Sequence, residues 1–260
     1  MESEWYEELG FLENPFDANR FFEIVGHYEL KKELAYFIQS GSLAFVNGGS
    51  GEGKTSILKY LTDVWDGNGK VVYVNCKNGK KFLNINDIIM NGVGILGRIF
   101  NKKPKNMVLL LDNAEYLTKK NCEKIKSFYD HNYLKSVVFT GEDYEKVAFT
   151  QSMKQRLSKR QVCIEGIDEN DAIRIIRSRI NNSKIMNNEM IKEIFLRSRK
   201  NPKLFLKNCE KVCYSAFDEG KRKISFDIIE KVLPWKKEFV MESQIEEAIK
   251  EPILVSARGN

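Results

Sequence analysis

The sequence predicts an α/β fold: a parallel sheet with helices on both faces, followed by a small all-helical unit. Three observations carry this reading. A glycine-rich loop, "GGSGEGKT" (Gly48 to Thr55), lies between an apolar strand-like run and a helix-like run. Short apolar runs then alternate with helical segments as far as Ile167, the pattern of parallel strands joined by helical crossovers. From Asp168 onward the periodicity is helical only, so Gly166 to Asp168 reads as a boundary.

The elements follow in order. After an acidic lead-in and a turn at "NPFD" (Asn14 to Asp17), the stretch Tyr28 to Ile38 repeats apolar residues at Leu30, Leu34, Phe37 and Ile38, which is helical spacing. "SLAFVN" is a strand that runs into the glycine loop, and a helix follows the loop. "KVVYVNC" (Lys70 to Cys76) is a second strand, and "INDIIMNGVGILGRIF" (Ile85 to Phe100) a helix loosened by three glycines. "MVLLLD" (Met107 to Asp112) is a third strand, apolar enough to be covered on both faces. "KSVVFTGED" (Lys135 to Asp143) is the fourth and "QVCIEGI" (Gln161 to Ile167) the fifth. Four helical segments follow, "DENDAIRIIRSRI", "NNEMIKEIFLRSR", "NPKLFLKNCEKVCYSAF" and "SFDIIEKVL", and Pro234 to Asn260 reads as a helix followed by a loose tail.

Composition narrows the class. With 260 residues, 42% hydrophobic and 30% charged, and with five prolines, the chain suits one large packed domain plus a small one. No run approaches the roughly 18 apolar residues that span a bilayer, and the start "MESEWYEELG" is acidic where a secretory signal is basic and then apolar. The expectation is a soluble cytoplasmic protein with no membrane partner. The five cysteines are odd in number and scattered without a CxxC, and His27 and His131 are the sole histidines, which argues against a zinc site or a disulfide framework. Cys209 and Cys213, four apart on a helix, read as buried core thiols. Residues 1–40 carry a net −6 and residues 41–260 a net +12, so a basic body follows an acidic arm. That split points to a polyanionic partner.

The loop fits G-x-x-x-x-G-K-[ST] in the strand-to-helix context this motif needs. Gly48, Gly49, Ser50, Gly51, Glu52 and Gly53 offer backbone amides to curl around phosphates, and Ser56 extends the set into the helix N-terminus with its positive dipole end. Lys54 is expected to reach the β and γ oxygens and Thr55 to ligate Mg²⁺. Asp112, ending the third strand, is the candidate metal carboxylate, and Thr140, ending the fourth, can orient an attacking water. Directly after Asp112 stands Asn113, an amide, which positions water but is a poor proton acceptor. Glu115 is the nearby carboxylate able to substitute; on that alternative, Asn113 merely caps the next turn.

In this order of glycine loop, acidic strand, polar strand end, arginine-bearing segment and small helical domain, the chain resembles the AAA+ ATPases. The opening "YEELGFLENPFDANRFFEIVGHYELKKELAYFIQSG" is similar to the lead-in of two branches, the archaeal origin-recognition (Orc/Cdc-type) initiators and the ExeA/TniB-like ATPases of transposition and secretion. The resemblance covers residues 6–233. It implies a P-loop NTPase parallel sheet, a RecA-like AAA+ core, with a helical lid. The divisions it gives are 1–40 as an acidic arm and helix leading into the core, 41–166 as nucleotide-binding core, 167–233 as lid, and 234–260 as a C-terminal helix or tail. It also implies that Val25 and Gly26 form an adenine-contacting turn and that Thr140 is the first sensor. Lys203 falls where the second sensor usually has arginine, keeping the charge without the planar fork. "KQRLSKR" (Lys154 to Arg160) is similar to the segment bearing the arginine finger, with Arg156 the first choice and Arg160 the second. A finger serves a neighbouring subunit and implies a homo-oligomer in the ATP state.

Departures from the family are specific. His27 replaces the arginine of the initiators' "VGR", the 31 residues from Cys76 to Asn106 leave little room for their extra DNA-binding helix, and about 27 residues after the lid are too few for a winged-helix domain. AAA+ enzymes usually place glutamate where Asn113 stands. The expectation is an ATP- and Mg²⁺-binding, DNA-associated assembly switch that hydrolyses slowly, contacting DNA mainly through phosphates. The alternatives are a competent ATPase motor or loader that uses Glu115, and a signalling or scaffold NTPase whose partner is a protein.

Overall fold

The computed structural model describes residues 4–18, 24–66, 71–79, 83–91, 105–181 and 183–235. Its elements run α1 (Trp5–Glu8), α2 (Tyr28–Gln39), β1 (Leu43–Asn47), α3 (Lys54–Asp66), β2 (Val71–Asn75), α4 (Ile85–Asn91), β3 (Met107–Asp112), α5 (Lys119–Asp130), β4 (Leu134–Gly141), α6 (Gln151–Leu157), β5 (Gln161–Cys163), α7 (Glu169–Arg179), α8 (Asn188–Arg197), α9 (Pro202–Asp218) and α10 (Phe226–Val232). The five strands form one parallel sheet in the order β2-β3-β4-β1-β5.

The two-residue period of the strands divides the sheet's side chains between two cores. Met107, Leu109 and Leu111 of β3 face one layer with Phe45 and Phe139, against Ile85 and Ile89 of α4, Ile125 of α5 and Met153 of α6. Val108 and Leu110 face the other, with Val46 and Val138, against Leu34 and Ile38 of α2 and Leu58 and Leu61 of α3. All six residues of β3 are buried, as its unbroken apolar run predicts.

A third core belongs to the four C-terminal helices, built on Ile176, Ile194, Phe195, Phe205, Val212 and Ile229. Asp168, Asn187 and Asn201 cap the first three of these helices, each side chain accepting a backbone N–H from three residues on. Trp5 and Phe16 of the acidic arm are also in this core, their rings stacked 6.2 Å apart. Arg179 of α7 donates to the carbonyls of Pro15 and Asp17 and so straps the arm in place. Ile164 packs in the sheet core and Ile167 in the helical one, so the chain crosses between them at Glu165 and Gly166.

Some bounds differ from the sequence reading. β5 stops at Cys163, because it pairs only with β1 and over three residues. β4 stops at Gly141, and Asp143, read as strand, instead caps a short 3₁₀ turn by accepting from Glu145 N. The helix read over 85–100 is described as far as Asn91, and its remainder, like the C-terminal helix or tail beyond Trp235, lies outside the described residues. Cys209 and Cys213 are buried and free of any disulfide. Among the described residues no helix is long and apolar enough to cross a membrane, and no cluster of His, Cys, Asp and Glu has the make-up of a metal site.

Candidate functional site

Parallel strands deliver their last residues to one edge of the sheet, and the candidate residues of β1, β3 and β4 meet there. β1 ends at Asn47, and the ladder continues one step as Gly48 N donates to Gly141 O at 3.2 Å. The glycine loop then turns into α3. Lys54 opens that helix and is 7% exposed, its ammonium donating to the carbonyls of Gly48 at 2.6 Å and Gly49 at 2.8 Å. No carboxylate of the described residues pairs with it, so a buried cation faces the loop with one donor to spare. The Glu52 carboxylate folds back over the loop and accepts from Gly49 N.

Asp112, at the end of β3, is fully buried and saturated with donors. Oδ1 accepts from Thr140 Oγ1 at 2.6 Å and from Asn113 N at 3.1 Å, while Oδ2 accepts from Thr55 Oγ1 at 2.6 Å and from Tyr73 OH at 3.1 Å. The loop threonine and the β4 threonine are thereby gathered on one carboxylate. Burial, followed by the charge of Asp112, pushes the Tyr73 hydroxyl well above its usual range, so it stays a donor. The same two causes push the Cys76 thiol up to about 12. A second anion next to Asp112 is disfavoured on that side.

Asn113 has left-handed backbone angles, φ 56° and ψ 56°, and its side chain caps nothing. Instead Nδ2 donates to Asn75 Oδ1, at the end of β2, at 3.1 Å. The capping alternative raised by the sequence is therefore not what the side chain does. Glu115 lies in the 3₁₀ turn that follows. Its Oε2 is buried without a hydrogen-bond partner and abuts Gly141, where an added Cβ would come within 2.9 Å of it. Both residues thus flank the strand ends, with the Asn113 amide engaged and the Glu115 Oε2 unpartnered.

The helical unit closes on the loop from outside. Lys203 N donates to Gly51 O at 3.2 Å and Asn201 Nδ2 to Ser50 O at 2.8 Å, while the Lys203 side chain is exposed. Val25 and Gly26 form the turn into α2; Gly26 lies against Asp171 of α7, at 2.7 Å from where a Cβ would sit. Arg156 is not near this site. It pairs with Asp130 and lies over the Tyr129 ring at 5.6 Å, and Tyr129 OH bonds Gly41 O just before β1. That is the opposite edge of the sheet, where strands begin, so Arg156 cannot reach its own chain's loop. Arg160 donates to Arg156 O at 2.9 Å. Tyr73, Asn75 and Asn201 were not singled out by the sequence; only Asn201, preceding a proline at a helix start, carries a local signal, and that signal is for a cap.

The arrangement suits a polyphosphate and a hard divalent cation. A buried ammonium that pairs with no carboxylate among the described residues, on a glycine-rich strand-to-helix turn, fits the anion, and a hydroxyl beside a carboxylate fits Mg²⁺. Lys54 and the loop from Gly48 to Gly53 would hold ATP, with Thr55 and Asp112 on the metal side.

No family model and no curated protein matches the sequence. Solved structures do resemble the fold. Cdc6p from Pyrobaculum aerophilum superposes with a TM-score of 0.70 at 16% identity, covering 87% of this chain and 73% of that one. The Aeropyrum pernix ORC1 protein, solved in complex with DNA, gives 0.61 at 12% identity over 92% and 72%. The Thermotoga maritima RuvB Holliday junction branch migration motor gives 0.61 at 15% identity over 88% and 79%. With a five-stranded parallel sheet in the order β2-β3-β4-β1-β5, a phosphate-loop turn from β1 into α3 and a helical unit seated on that loop, the chain has the AAA+ P-loop fold shared by the Orc/Cdc-type proteins and RuvB.

Proposed function

We propose that the protein is an ATP- and Mg²⁺-binding, DNA-associated assembly switch with slow hydrolysis. The observation that carries this reading is the Asp112 carboxylate holding both Thr55 and Thr140 beside a buried Lys54, with an amide, Asn113, in the next position. Phosphate binding needs the loop, Lys54 and Thr55, all of which are in register; activation of water needs a proton acceptor, which Asn113 is not. The half-buried Arg156 at the far edge of the sheet supports a role toward a neighbouring subunit, so nucleotide would govern assembly. DNA as partner is supported by the net +12 of residues 41–260 and by the fold shared with an ORC1 protein solved on DNA and with a Holliday junction motor.

A competent ATPase is the second reading, and one observation favours it: the buried, unpartnered Oε2 of Glu115 beside Gly141. That oxygen lies at the strand ends with no hydrogen bond already committed, so it is free to meet a water there. The switch is tested by titrating the protein onto a labelled duplex with ATP·Mg²⁺, ADP·Mg²⁺ or no nucleotide. Tighter binding and larger complexes with ATP are expected. Equal binding in all three states overturns the switch.

A further inference from the structure

The glycine loop can present its amides to phosphates only if its carbonyls turn the other way, and outward carbonyls need donors. Lys54 serves the Gly48 and Gly49 carbonyls, and for Ser50 and Gly51 the donors come from the helical unit. Ser50 O accepts from Asn201 Nδ2 at 2.8 Å, and Gly51 O accepts from Lys203 N at 3.2 Å.

The first turn of α9 is built for this. A helix start leaves its leading N–H groups without partners inside the helix. Pro202 at the first position has no N–H. Leu204 N is taken by the Asn201 carboxamide oxygen at 3.0 Å, and Phe205 N by Asn201 O at 2.9 Å. Lys203 N is the donor left over, and it goes to the loop. Asn201 therefore caps its own helix with one end of its side chain and holds the phosphate loop with the other. Serine or aspartate can perform the first task, but aspartate has no donor for Ser50 O, and the serine hydroxyl sits one bond short of the carboxamide nitrogen that spans to it. Gly51 completes the fit: at φ +81° it carries no Cβ, and one placed there would lie 2.7 Å from Asn201 Oδ1 and 2.9 Å from Lys203 Cβ.

We infer that Asn201 is a positioning residue that couples the shape of the phosphate loop to the docking of the helical lid. The inference rests on the nucleotide reading of the loop for its ligand and on the contact alone for its mechanism. With Asn201 engaged, the Ser50 and Gly51 carbonyls are held toward the helical unit, which fixes the peptide planes of the loop, so lid docking shapes the anion site. Coupling of two equilibria is reciprocal, so whatever lid docking adds to nucleotide affinity, nucleotide adds to lid docking.

Hydrogen exchange on the full chain, with and without ATP·Mg²⁺, tests this with Asn201→Ser. Serine keeps the helix cap, so exchange inside α9 and the thermal midpoint should stay as in the wild type. Exchange at the loop amides and at Lys203 should rise about threefold to tenfold in the nucleotide-free protein, the worth of one hydrogen bond, and ATP affinity should fall by a similar factor. Unchanged nucleotide-free exchange, or changed exchange with unchanged ATP affinity, overturns the coupling. If the wild type binds no ATP, the nucleotide reading fails, while nucleotide-free exchange still reads the contact. A second pair separates contact from backbone strain. Gly51→Ala and Gly53→Ala both force a side chain into a left-handed position, yet nothing lies within 4 Å of a Cβ at Gly53. Faster exchange at Lys203 is expected in Gly51→Ala only, and equal behaviour of the two overturns the proposal.

Discussion

Asn113 Nδ2 donates to Asn75 Oδ1 at 3.1 Å, tying the residue after Asp112 to the end of the neighbouring strand. Hydrolysis tests what that amide withholds. Loss of a general base typically costs about 10² to 10⁴ in rate, so turnover should be low while affinity is ordinary. Asn113→Glu should accelerate ATP hydrolysis measured by phosphate release, and Glu115→Gln should change little. Brisk wild-type turnover that Glu115→Gln abolishes would move the base to Glu115, the carboxylate with the unpartnered buried oxygen.

Lys54→Ala should weaken ATP binding by about 1 to 3 kcal/mol, the range for a lost charge-assisted contact. Calorimetric titration reads it directly. The folded chain should tolerate the change, since Lys54 donates only to carbonyls of its own loop. Unchanged affinity would remove the loop from the nucleotide site.

Self-association should require ATP·Mg²⁺ and Arg156. Within one chain this guanidinium is paired with Asp130 at the strand-start edge, away from the loop. Sedimentation should give larger species with ATP than without, and Arg156→Ala should abolish the difference. A monomer under both conditions at high concentration contradicts an assembly driven by this residue.

DNA affinity should fall steeply with salt and vary little with sequence, because phosphate contacts release counterions and carry no base information. The acidic arm should not take part: Trp5 and Phe16 are buried in the helical core, and the arm is net negative. Strong discrimination between duplex sequences by this chain would contradict the reading.

Acid should expose His27. Burial holds its imidazole below the ordinary 6.5; Lys31 acts in the same direction, while Asp171 and Glu165 oppose it. The folded state thus prefers the neutral ring, so the group costs nothing well above pH 6.5. As pH falls below 6.5 the unfolded chain takes the proton first, and stability declines until the folded pKa is passed. His27→Asn, which tolerates the left-handed φ of 52° here, should flatten that part of a stability-against-pH curve. An identical acid slope in both proteins assigns the loss to other groups.

Legibility in the sequence tracked how local each cause is. β3 is readable to the residue because a five-residue apolar run, Met107 to Leu111, is bounded by Asn106 and followed by Asp112. β5 was read four residues too long because Ile164 and Ile167 are both apolar, yet they serve different cores. Lys54, Thr55 and Asp112 are marked by a motif or a strand end, and the structure brings Thr55 and Thr140 onto one carboxylate. Tyr73, Asn75 and Asn201 act on partners 39, 38 and 151 positions away, where no periodicity or spacing signals a contact. The arm's place was hidden for the same reason: an acidic segment with two buried aromatics does not say which core will take them.

The strapping of that arm gives the chain a closed itinerary. Asn14 Nδ2 reaches Glu210 Oε1 at 2.5 Å, across 196 positions, and Arg179 bonds the carbonyls of Pro15 and Asp17. During synthesis the first aromatic residues therefore emerge long before the helices that bury them, and must wait in water while the sheet between them is made. The helical unit cannot be cut out as one continuous fragment, because part of its core is supplied by residues on the far side of the sheet domain in sequence. Closing so long a loop is slow rather than costly, since the entropy of closure grows only with the logarithm of length. Completion of the helical unit is thus a late event that joins the two ends of the described chain, and any partner seated on it meets a sheet that is already built.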